Sequence, residues 1–139
     1  MKKILLLLFS LFGVAALHVQ AQSPICAGAS EFCAENNISF PASTNTPNPP
    51  ASNDYGCLIT QPNPTWFYMS TTGAGSAIIN LSSTPSQDID FALWGPFTSL
   101  GDALGNCGSL GAPVDCSYSP SANETVSISS GGPGEFYLL

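Results

Sequence analysis

The sequence predicts an all-β fold, an antiparallel β-sandwich of jelly-roll or CUB-like form, on three observations. Glycine and proline, at 13 and 12 residues, are too frequent for long helices. Apolar residues recur with period two in several short segments, and no helical period is present after the first 21 residues. Clusters of Gly, Pro, Ser and Asn separate those segments as turns.

Taken in order, residues 1–21 read as a secretory signal peptide. Lys2 and Lys3 give the positive start, an apolar run extends from Ile4 to Leu17, and Val19-Gln20-Ala21 is a small-residue cleavage site. The run is short for a bilayer span, so no membrane insertion is expected after cleavage at Ala21. Residues 22–139 then form a single module. Residues 26–35 have room for one or two helical turns, with Ser30 as a cap, and residues 44–54 read as a polar surface loop. Residues 65–71, led by Trp66, Phe67, Tyr68 and Met69, are β-prone. In residues 77–82, Ile79 and Leu81 share a face. Residues 88–94 alternate: Ile89, Phe91 and Leu93 face one way, Asp88, Asp90 and Trp94 the other. Residues 98–104 read as a short helix capped by Thr98. Residues 124–129 place Val126 and Ile128 together, and residues 135–139 start a last strand. The chain stops inside that apolar run, so the module is expected to be incomplete at its C-terminal end.

Charge narrows the function. Both bases and the single histidine, His18, lie within residues 1–21, so residues 22–139 hold nine carboxylates and no cationic side chain. Nucleic-acid binding needs Lys and Arg to neutralise phosphates, so no nucleic-acid partner is expected. Imidazole-dependent triads and lysine Schiff bases are excluded on the same ground. Of the common catalytic devices only paired carboxylates survive, and the expectation is a protein that is not an enzyme. Any semi-buried carboxylate must find a backbone N–H, a hydroxyl, a proton or a metal ion.

Asp88 and Asp90 are the candidate pair, because residues i and i+2 of a strand share a face. Two such carboxylates repel unless a cation bridges them or one is protonated, and calcium takes oxygen ligands. Asp115, next to Cys116, is a third candidate ligand for calcium. The plain alternative is a turn role for Asp88 and a backbone hydrogen bond for Asp90. Trp66, Tyr68, Trp94 and Tyr118 could form a sugar-stacking surface, although aromatics of a small β-domain more often fill its core. Asn37, Asn80 and Asn123 begin glycosylation sequons. The five cysteines, beside a signal peptide, point to disulfides with one thiol left over. Spacing suggests Cys107–Cys116 across a short loop and Cys33–Cys57 tying the polar loop to the sheet. Cys26 is then unpaired, although spacing alone does not fix connectivity.

A series of short strings occurs in this order: Cys26-x6-Cys33, Phe40-Pro41-Ala42, Tyr55-Gly56-Cys57-Leu58, Pro62-Asn63-Pro64-Thr65-Trp66-Phe67-Tyr68-Met69, Asp88-Ile89-Asp90-Phe91, Trp94-Gly95-Pro96-Phe97, Val114-Asp115-Cys116-Ser117-Tyr118-Ser119 and Gly134-Glu135-Phe136-Tyr137. The series resembles the N-terminal β-sandwich module of large secreted or surface proteins of Bacteroidota, among them gliding-motility-associated proteins and proteins with type IX secretion sorting domains. The resemblance implies a jelly-roll-like, non-catalytic extracellular module, distantly similar to CUB and pre-peptidase C-terminal domains. It also implies continuation through another strand or two to a further cysteine, and it carries no catalytic residues over. The expected role is binding, adhesion or architecture at the cell surface, with an extracellular polysaccharide or protein and further domains of the same polypeptide as partners. The alternative is an accessory carbohydrate-binding domain of a secreted hydrolase.

Overall fold

The computed structural model describes residues 22–33 and 37–139. The expected signal peptide lies outside the described residues, as does the 34–35 end of the expected helical turns. Strands make up almost all the regular structure. They are β1 (Ser30–Glu31), β2 (Phe67–Ser70), β3 (Gly75–Ser82), β4 (Phe91–Phe97), β5 (Asp115–Ser117), β6 (Asn123–Gly131) and β7 (Phe136–Leu138). Among the described residues one short helix, α1 (Leu100–Gly105), and a 3-10 turn at Cys26–Gly28 complete the elements. The fold is all-β, as the period-two patterning predicts.

Two sheets form. The larger has five strands in the order β1-β2-β7-β4-β5, antiparallel except for the parallel β1–β2 pair. The smaller is the antiparallel pair β3–β6. The apolar run at 136–139 is the middle of the large sheet, where Tyr137 and Leu138 are buried, so its near-continuous hydrophobicity reflects cover on both faces. In β4 the residues Phe91, Ala92, Leu93 and Trp94 are all buried for the same reason.

Strand alternation sorts these side chains into two cores. Phe91, Leu93, Met69 and Tyr137 pack on one face against Val126 and Ile128 of the β3–β6 pair. Ala92, Trp94 and Leu138 pack on the other face with Trp66, Cys26, Ala103 of α1 and Leu110. The split between Phe91/Leu93 and Trp94 follows the expected alternation. The strand itself starts later than expected: β4 begins at Phe91, opposite Ser117, and Asp88 and Asp90 precede it.

β4 carries an irregularity between Trp94 and Phe97, where it runs beside β7. Gly95 sits there with φ +141°, and a Cβ would meet the Tyr137 ring at 2.6 Å and the Phe136 carbonyl oxygen at 2.9 Å. Only glycine allows that approach.

Three further expectations change. Ser30 is not a helix cap but the first residue of β1, since the turn before it ends at Gly28. Helix α1 is capped by Ser99, whose hydroxyl accepts from the Asp102 N–H at 3.0 Å, and not by Thr98. Thr98 instead donates its backbone N–H to the Asp102 carboxylate at 3.1 Å, so Asp102 gives its N–H to Ser99 and takes one from Thr98. The disulfides are Cys26–Cys107 and Cys57–Cys116, with Cα separations of 5.6 and 6.1 Å, in place of Cys107–Cys116 and Cys33–Cys57. Helix α1 delivers Cys107 to the turn that holds Cys26, while Cys116 points from β5 toward the loop at Gly56–Cys57. Cys33, just past the edge strand β1, is the exposed free thiol, and Cys26 is buried.

Candidate functional site

With no base after residue 21, several carboxylates find N–H and O–H partners, whereas Glu124 Oε1 is buried without one. Asp54 accepts from the Gly56 N–H at 2.8 Å in a tight turn. Glu135 accepts from the Gly132 N–H at 2.7 Å and the Tyr137 hydroxyl at 2.8 Å. Those two donors hold the Glu135 carboxyl below its ordinary range. Burial, and then the Glu135 carboxylate, push the Tyr137 hydroxyl up to about 12.

Asp88 and Asp90 are brought together, but not by a strand face. The Ile89 N–H donates to the Ser121 carbonyl at 3.0 Å and holds this segment beside residues 118–121. Asp88, Asp90, Tyr118, Ser119 and Pro120 line a cleft of about 130 Å³. Partial burial raises the Asp90 carboxyl above its usual range; Asp88 and Glu124 add to this by repulsion, and a Ser119 backbone N–H opposes it. The two carboxylates thus repel, and one of them is bonded to backbone.

Asp115 does not join them. It sits on β5 on the side that faces the small sheet, and its Oδ2 accepts the Ser127 N–H of β6 at 2.6 Å. Among the described residues no group of three or more His, Cys, Asp or Glu side chains is placed to hold a metal ion. Calcium takes six to eight oxygens, of which Asp88 and Asp90 supply only a part.

The four aromatics do not form a platform. Trp66 and Trp94 are 3 % and 4 % exposed and stack on each other at 5.4 Å. The Trp94 indole N–H donates to the carbonyls of Asp54 and Gly111 at 3.1 and 2.9 Å, so this ring ties the loop layer to the sheet. Tyr68 is half-buried on β2 and its hydroxyl is engaged with Glu31. Tyr118 alone is exposed, at the rim of the acidic cleft.

Sequence reasoning missed Asn53 and a groove. Asn53 is buried; its Nδ2 donates to the Cys107 carbonyl at 2.9 Å, and its Oδ1 accepts the Leu110 N–H at 2.9 Å. No local pattern marks that role, because both partners lie far along the chain. The groove, of about 400 Å³, runs past Ile25, Cys26, Cys107 and the prolines 47, 49 and 50. The sequon residues Asn37, Asn80 and Asn123 are all exposed.

Among the described residues no helix is long and apolar enough to cross a membrane. Two disulfides fit an extracellular protein. No known protein family, curated protein or solved structure matches the chain.

Proposed function

We propose that residues 22–139 are an exported, non-catalytic β-sandwich module of jelly-roll type, part of a larger secreted or cell-surface protein of the Bacteroidota kind. It acts outside the cell in binding, adhesion or architecture. The observation that carries this is the pair of disulfides, one joining the Cys26 turn to the end of helix α1 and the other fastening the Cys57 loop to β5, in a chain whose basic residues all lie in an exportable leader. Such bonds persist in oxidising compartments. The absence of His, Lys and Arg after residue 21 supports a role without turnover. Purified exported protein, assayed on peptide, ester and glycoside panels, is expected to be inert. Turnover abolished by Asp88→Asn or Asp90→Asn would overturn the proposal.

A second reading is favoured by one feature, the exposed Tyr118 ring beside the carboxylates of Asp88 and Asp90. An exposed ring stacks on sugar faces and carboxylates accept hydroxyl protons, so an accessory carbohydrate-binding domain of a secreted hydrolase would use this cleft. Affinity electrophoresis through neutral polysaccharides, with Tyr118→Ala beside the native chain, separates the readings. Retardation that Tyr118→Ala abolishes supports the second.

A further inference from the structure

The small sheet has two edges, and they are treated differently. On the β6 edge the Ser127 N–H, which points away from β3, is taken by Asp115. An inward-pointing carboxylate at a strand edge blocks the approach of another strand. Among the described residues the β3 edge has no such guard. There β3 pairs with β6 alone, and from Ala77 to Ser82 it contains no charge, no proline and no register irregularity.

The β3–β6 register says which groups are free. Ile78 lies opposite Ser127, and the Ser127 N–H is bonded elsewhere, so this is a non-hydrogen-bonded pair of the antiparallel ladder. The N–H and C=O of Ile78 therefore point outward, and by alternation so do those of Asn80. The side chains show the same incompleteness. Val126 and Ile128 of β6 are 0 % and 4 % exposed. Their neighbours on β3, Ala77, Ile79 and Leu81, stay only half-buried although they face the same core. On the outer face Ile78 is 67 % exposed.

We infer that the β3 edge pairs with the β3 edge of a second copy of this chain. The missing strand must bring apolar residues to the inner row, neutral residues to the outer row, and no carboxylate. β3 itself has that pattern. With antiparallel pairing about a two-fold axis at Ile78, opposite residues keep the same face: Ile78 meets Ile78 of the other copy, and Ala77 meets Ile79. The outward-pointing N–H and C=O of Ile78 then bond reciprocally, and those of Asn80 meet the backbone of Ser76. Charge favours this surface too. Nine carboxylates make two copies repel, but the outer residues Ser76, Ile78, Asn80, Ser82, Asn123 and Thr125 carry none.

Sedimentation equilibrium of the exported chain carrying Cys33→Ser, which removes the exposed thiol as a link, should show a reversible dimer. Ile78→Lys sets two like charges opposite each other and should weaken the dimer on the order of tenfold or more. Asn80→Pro deletes an N–H that β6 does not use and should weaken it similarly with the fold retained. Ile59→Lys adds the same charge at an exposed residue outside the small sheet and should leave association unchanged. In the parent protein, amide exchange at Ile78 and Asn80 should slow as concentration rises. A monomer at every concentration, a dimer indifferent to both edge variants, or amides that exchange fast at every concentration would overturn the inference.

Discussion

The two faces of the five-stranded sheet are closed by different means. One is covered by the β3–β6 pair, through a core built of Met69, Phe91, Leu93, Val126, Ile128 and Tyr137. The other is covered by turns, loops and one short helix around Trp66, Trp94 and Leu138. On the first face paired strands satisfy most of their own backbone, the outer β3 edge excepted, and beside apolar contact the cover needs little more than the Asp115–Ser127 bond. On the second, irregular chain needs fixed partners, and it gets two disulfides, the Trp94 indole and the Asn53 amide. Burial is similar on both faces; what differs is how many specific polar and covalent ties that burial requires.

Adjacent residues of β4 test this most severely. Trp94→Ala should cost about 3–5 kcal/mol, and Leu93→Ala about 2–5 kcal/mol, by urea unfolding. Their distribution should differ. Trp94→Ala also orphans the Asp54 and Gly111 carbonyls, so amide exchange should rise in residues 53–58 and 108–111. Leu93→Ala should loosen the β3–β6 pair instead. The same pattern of exchange in both variants would break the comparison.

Much of the loop-covered face was not legible in the sequence. Period-two alternation identifies the faces of residues 91–94, because each strand residue contributes to it locally. Disulfide partners depend on where α1 and β5 deliver Cys107 and Cys116, which no spacing encodes. Trp66 and Trp94 read equally well as platform or core until the loop carbonyls that receive the Trp94 N–H are placed. The acidic pair was half legible: Asp88 and Asp90 are neighbours, but through a loop clamped to Ser121, because β5 offers no partner before Phe91. Asp115 could be taken for a metal ligand only while its N–H partner on β6 was unknown.

Asn53→Ala comes next in size. It leaves the Leu110 N–H and the Cys107 carbonyl buried without their partner and should cost about 1–3 kcal/mol, read by thermal and urea melts. A neutral effect would mean that the loop layer relaxes freely, and the contrast between faces would weaken.

The smallest effects sit at the rim and have opposite signs in pH. The Asp90 carboxyl is raised in the folded state, so the folded state holds that proton more tightly than the unfolded one. Its contribution therefore favours folding as pH falls through the raised value and is lost as pH rises above it. Asp90→Asn should give a slight gain in melting temperature at neutral pH and flatten this part of the profile. Glu135 is lowered, so its contribution is present above the ordinary carboxylate range and is lost as pH falls through its folded value. Glu135→Gln should remove that acid-side loss. Calcium at the Asp88–Asp90 pair would raise the native melting temperature but not that of Asp90→Asn; identical melts with calcium and with chelator would reject it.

The two disulfides interleave: Cys57 lies between Cys26 and Cys107 in the chain, and Cys107 lies between Cys57 and Cys116. A peptide bond cut anywhere from Cys57 to Cys107 therefore leaves two pieces joined by both bonds. Trypsin finds no site in residues 22–139, since they hold no Lys or Arg. A cut in the loop of prolines 47, 49 and 50, before Cys57, leaves the pieces joined by the Cys26–Cys107 bond alone, so the nicked protein still remains one covalent body and separates into fragments only on reduction.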